Sequence, residues 1–179
     1  MSRGRAVAVV TGLAAVGVLL WRLRPDASSS EAPTAEPAIA SRLATWSPTP
    51  PAGPLTKVVA YAWAAPLTAA GLLLGAASGS KPYLHEGALV FADAAGLAGR
   101  MLRWRGFTAA TLGHVIVAVG RPSAALLRHE LTHVRQAERF GPFFAPLYLA
   151  ALVRYGYRRN PFERAAYLAG RRSTKMTAV

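Results

Sequence analysis

The sequence predicts an α+β fold: a small domain with a short antiparallel sheet and two or more helices, preceded by one or two apolar membrane helices. Three observations predict it. Short runs rich in β-branched residues and bounded by turn formers lie between residues 86 and 119. Apolar residues at helical spacing follow them, between prolines and glycines that start and stop helices. Before them stand two long stretches without a charge, separated by a segment rich in proline, serine and alanine.

Taken in order, residues 1–24 read as a signal-anchor or transmembrane segment, because residues 6–21 carry no charge and follow Arg3 and Arg5. Residues 25–56 read as a linker, since 26–34 and 47–54 have too little apolar content to bury a core. Residues 57–79 predict an apolar helix. Its uncharged part, 58–77, is long enough to cross a bilayer, although Pro66 and several glycines interrupt it. The competing reading for this helix is one packed on the domain that follows.

That domain occupies residues 80–179. Residues 86–92 read as a short strand, and 94–104 as a helix weakened by Gly96 and Gly99. Residues 111–119, the richest β-branched run, predict one strand at a sheet edge, where an extended peptide can add as a further strand. A helix should then run from Arg121-Pro122 to Gly141-Pro142, with Leu126, Leu127, Leu131 and Val134 on its buried flank and Arg128, Arg135 and Arg139 opposite. The apolar run 143–153 is too short to span a membrane. Asn160-Pro161 opens a last helix.

Charge narrows the partners. The formal net charge is +13, from 21 basic and 8 acidic residues. No nucleic-acid recognition motif accompanies it, so nucleic acid is set aside in favour of an anionic lipid bilayer beside the apolar segments. Basic residues cluster after residue 80, while Asp26, Glu31 and Glu36 lie in the linker. By the positive-inside rule this predicts a hairpin in the inner (cytoplasmic) membrane, with the last domain on the cytoplasmic side.

The chemistry is concentrated in His129-Glu130-Leu131-Thr132-His133. Residues four apart share a helix face, so both imidazoles can reach one metal ion, and Glu130 can aim its carboxylate at a water on it. This spacing is that of a zinc-hydrolase site, with Zn2+ as the expected cofactor and Glu130 as the general base. Cysteine is absent, which leaves His85, His114 and a few carboxylates as the third ligand. Glu138 lies far around the same helix. Glu163, about thirty residues downstream, is better placed, but it is also the third helical residue after Asn160 and fits a capping box. Tyr167, one turn beyond it, shares its face and is a candidate to stabilise a developing oxyanion. His114 reads either as a substrate contact or as a half-buried sheet residue.

The two motifs together, His129 to His133 and a later helix carrying Glu163, resemble the gluzincin metallopeptidases in a minimal-domain form. With Val134-Arg135-Gln136 and Asn160-Pro161-Phe162-Glu163 they are also similar to a group of small bacterial membrane-associated proteins. The resemblance covers about half the chain, roughly residues 83–172. It implies a zincin-like domain with His129, His133 and Glu163 as zinc ligands and Glu130 as the base, hydrolysing a peptide or membrane-protein substrate. Arg135 stands where many zincins have an apolar residue, and no aspartate follows Glu163 to orient a histidine. The competing expectation is a non-catalytic membrane protein whose zinc is structural or vestigial, its coordination closed by a further ligand such as His114.

Overall fold

The computed structural model describes residues 37–176, so the apolar run 6–21 and the linker stretch 26–34 lie outside them. The described chain is α+β. In order it forms α1 (Ala38–Thr45), α2 (Pro54–Ala76), β1 (Pro82–His85), β2 (Ala88–Phe91), α3 (Leu97–Arg105), β3 (Ala109–Leu112) and β4 (Val115–Ala118). Then come α4 (Ala124–Phe140), a 3-10 turn (Gly141–Phe143), α5 (Phe144–Arg159) and α6 (Pro161–Met176).

The strands form one sheet of order β1-β2-β4-β3. Two antiparallel hairpins, β1-β2 and β3-β4, meet along a parallel β2-β4 pair. The sheet is therefore mixed, not antiparallel throughout as expected, because α3 sets β3 one strand away from β2 and β4 turns back into the gap between them. The run 111–119 is likewise not one strand. Leu112 pairs with Val115 across a two-residue turn of Gly113 and His114, and Gly113 takes the positive φ (58°) that such a turn requires. The continuous β-branched pattern concealed that turn. As a result β4 is central and β3, expected as part of the same strand, is the edge.

Both faces of the central strands are covered. Val90 and Ile116 pack against Leu131 and Val134 of α4, while Phe91, Val115 and Val117 pack against Ala98 and Leu102 of α3. A third cluster joins α2, α4, α5 and α6 through Ala64, Ala137, Phe144, Ala151 and Phe162.

Two elements bear on the linker and membrane expectations. Inside the expected linker, α1 is a packed helix: Ala40 and Ala44, one turn apart, are buried, and the Trp46 ring meets Phe140 edge-on at 5.8 Å. Proline and serine on either side gave the segment its linker composition, whereas a short alanine face suffices for close helix contact. α2 is long and apolar enough to cross a membrane, with mean hydropathy 1.6. It nevertheless lies along the domain, with Ala64, Gly71 and Gly75 buried. A Cβ at Gly71 would strike the Leu112 carbonyl and Val115, and one at Gly75 would strike the Phe91 ring.

Candidate metal centre

The site is built where α4 and α6 meet. Ser123 caps α4 by accepting a hydrogen bond from the Leu126 amide (3.2 Å), and Gly141 ends it. From His129 to Glu138 every residue of α4 is buried. The basic flank expected on this helix is thus only partly right: Arg128 and Arg139 are exposed, but Arg135 is buried. Its guanidinium pairs with Glu138 (2.6 Å) and donates to the Glu86 carbonyl (2.7 Å).

α6 begins as expected at Asn160, whose Oδ1 accepts from the Phe162 amide at 3.0 Å. The capping box is not completed. The Asn160 amide already bonds the Tyr157 carbonyl (3.3 Å), and the Glu163 carboxylate points instead at the two histidines. His129 Nε2 lies 3.4 Å from Glu163 Oε2, His133 Nε2 lies 3.3 Å from Glu163 Oε1, and the two Nε2 atoms are 3.3 Å apart. Ligands about 2.0–2.1 Å from a zinc ion in tetrahedral directions stand about 3.3 Å from one another. The three side chains are all buried, and Glu163 Oε2 is a buried oxygen with no hydrogen-bond partner. Leaving such an atom unsatisfied is costly, and a cation would satisfy it. On geometry and on donor chemistry the residues fit a metal ion.

Surrounding groups hold the three side chains in place. His133 Nδ1 bonds Gln136 Oε1 (2.8 Å), and the Gln136 amide nitrogen donates to the Phe162 carbonyl (3.1 Å). The amide orientation fixed by Phe162 makes Oε1 the acceptor, so Nδ1 carries the proton and Nε2 faces the centre. Gln136 thus does what the absent aspartate was expected to do, one turn along the same helix. Tyr148 of α5 donates to Glu163 Oε1 at 2.6 Å. Sequence pattern gave Tyr148 no distinguishing mark. A Gln136→Leu variant should keep the fold and bind zinc about 10–100-fold more weakly, as read by competition with a chromophoric chelator; unchanged affinity would remove Gln136 from the site.

The charges are coupled. Burial alone would lower the pKa of His133 from 6.5, but the hydrogen bond and charge of Glu163, with Glu130 and Gln136 adding, hold it at about 9. Burial would raise Glu163, yet the His129 and His133 imidazoles beside it hold it well below the usual carboxylate range. Burial and the Glu163 charge push the hydroxyls of Tyr148 and Tyr157 far above ordinary phenol values, so both stay protonated as donors. A histidine raised in the folded state stabilises it fully below about 6.5 and stops doing so as pH rises through about 9. With a chelator present, the urea midpoint of the chain should fall across that window. Zinc uptake at neutral pH should release a proton, visible as a buffer-dependent binding heat.

A cleft of about 630 Å³ opens over the centre, bounded by residues before and on β3, the first half of α4, Tyr157 and α6. Glu130 lines it, its Oε2 accepting from the Thr111 hydroxyl of edge strand β3 at 2.6 Å. Tyr167, 48% exposed, stands at its rim with its ring 4.7 Å from that of His129. Tyr157, just after the break in α5 at Gly156 (φ 70°), also lines the cleft. The sequence reading singled out Tyr167 and passed over Tyr157, because only the kink brings the latter to the site.

His114 belongs elsewhere. Its ring stacks on Tyr61 at 3.9 Å, with Nδ1 against the Thr68 hydroxyl (3.1 Å) and Nε2 against Glu138 (3.1 Å). Both ring nitrogens are taken, so it does not close the metal site, and it is neither in the cleft nor free for substrate. Compared with protein families, curated proteins and solved structures, the chain gives no significant match.

Proposed function

We propose that the protein is a membrane-associated zinc metallopeptidase of the gluzincin kind, with His129, His133 and Glu163 holding the ion. The observation that carries this reading is the orphaned Glu163 Oε2 beside two imidazole nitrogens, with Glu130 on the open cleft next to them. Zinc bound there supplies a Lewis acid for a scissile carbonyl and acidifies its water. Glu130, held by Thr111, is placed to take the proton of an attacking water and pass it to the leaving amine. Tyr157 and Tyr167, both on the cleft, are hydroxyl donors for the oxygen on which negative charge develops. The unpaired edge of β3 beside Glu130 favours an extended peptide as substrate.

The alternative of a structural zinc needs a fourth protein ligand. Among the described residues the cluster consists of His129, His133 and Glu163, which leaves a coordination position for water. The deciding experiment is cleavage of an unbiased peptide library by the zinc-loaded chain. Cuts that stop on chelation and return with zinc support the peptidase. A chelator that only unfolds the chain, with no cuts under any loading, overturns it in favour of a structural ion.

A further inference from the structure

α2 is built inside out. Its fully buried residues are small, Ala64, Gly71 and Gly75, with Thr68 bonded to His114 and only Leu67 and Leu74 as large apolar side chains packed on the domain. Leu55, Val58, Ala62, Ala65, Leu72 and Leu73 form an exposed apolar stripe at helical spacing along the helix, with Thr56 and Lys57 the exposed polar residues of its first turn. A surface helix in water has the opposite arrangement. The 3-10 turn extends the stripe sideways, where Phe143 is 60% exposed and its ring lies 6.0 Å from that of Trp63.

The same packing argues against a span. α2 touches the domain from Tyr61, which donates to the Gly87 carbonyl, through Thr68 and Gly71 at the β3-β4 turn, to Gly75 on β2. Crossing a bilayer would carry the sheet into hydrocarbon with it. The Glu86 side chain, 55% exposed beside Gly87, and the unpaired backbone edge of β3 would go too. Glu86, 3.9 Å from the His85 ring, would take a carboxylate into hydrocarbon, which tolerates neither that charge nor an open sheet edge.

We infer that α2 lies in the plane of an anionic bilayer, its outward stripe sunk among the acyl chains and the metal domain resting on the headgroups. The inference rests on the membrane association proposed above. Charge selects the lipid: the chain is +13 overall, with Lys57 in the first turn of α2 and Lys81 just past its end. In this arrangement α2 does not return the chain across the membrane, so residues 37–53 and the metal domain lie on one side. The hairpin expected from the charge distribution is then not formed.

The test uses the full chain, which has no cysteine. Single cysteines replacing Val58, Ala65 and Leu72 are labelled with an environment-sensitive fluorophore. The chain is then reconstituted with phosphatidylethanolamine–phosphatidylglycerol vesicles, which are floated and probed with nitroxide lipids labelled shallow or deep in the acyl chain. The expected result is flotation, with stronger loss of fluorescence to the shallow quencher than to the deep one at all three positions alike. Deep quenching at position 65 with shallow quenching at 58 and 72 means a span and overturns the inference. Blue-shifted emission without lipid quenching means that residues 6–21 or a second copy cover the stripe, and also overturns it. Failure to float overturns membrane association as well. The readout needs neither zinc nor activity, so the peptidase reading stands or falls separately.

Discussion

Replacing Glu163 with alanine is expected to abolish stoichiometric zinc binding. The wild-type chain should hold one zinc per molecule by elemental analysis, and the variant should lose affinity by at least about 100-fold, more than an outer hydrogen-bonding partner supplies. The effect is large because, among the described residues, Glu163 is the carboxylate against both imidazoles, and its Oε2 has no hydrogen-bond partner. The variant also strands the Tyr148 hydroxyl, which now donates to Glu163, so some loss of stability should accompany it. Glu163→Gln separates the two effects. It retains an acceptor for Tyr148 and the side-chain volume but removes the charge, so weak zinc binding in a chain that melts normally assigns the loss to the metal. Full zinc occupancy in either variant would remove Glu163 from the ligand set.

Glu130→Gln is expected to lose about 10²–10⁴-fold in kcat while zinc content stays at one per chain. The glutamine oxygen can still accept from Thr111, so the side chain keeps its place and loses only its basicity. Cleavage at the wild-type rate by this variant would end the proposed role of Glu130. Loss of zinc together with loss of rate would mean that Glu130 supports the metal site and not proton transfer. Peptide hydrolysis assayed beside elemental analysis reads both.

The two ends of the site were readable to different degrees. His129, Glu130 and His133 lie within one turn and a half of a single helix, so their relation follows from helix geometry alone. Glu163 lies on another helix and had two roles compatible with its position. The capping role was ruled out because the Asn160 amide bonds the Tyr157 carbonyl at 3.3 Å and the Glu163 carboxylate turns instead to His129 and His133 on a distant segment. Gln136 sat in plain view as the third residue after His133. Its role depends on Phe162, 26 positions away, which fixes the direction of its amide. Tyr157 reaches the cleft only because α5 breaks at Gly156. Arg135 looked like a solvated charge, and became a buried one because Glu138 and the Glu86 carbonyl converge on it.

The fold divides in the same way. The α+β class, the helix that carries the motif and the start of α6 at Asn160 were set by periodicity, capping residues and the prolines and glycines around them, all of which act within a few residues. The parallel β2-β4 pair, the split of 111–119 into a hairpin, the packing of α1 and the sidedness of α2 were decided by contacts between distant segments. A stripe of glycine and alanine reads as a weak helix in sequence and becomes a docking face only when Leu112, Val115 and Phe91 lie against it. The sequence by itself determined which residues can bind a metal, since that is a property of side-chain type and helical spacing. Only the tertiary structure decided which carboxylate joins them and which way the apolar helix faces, because both depend on what the rest of the chain places alongside.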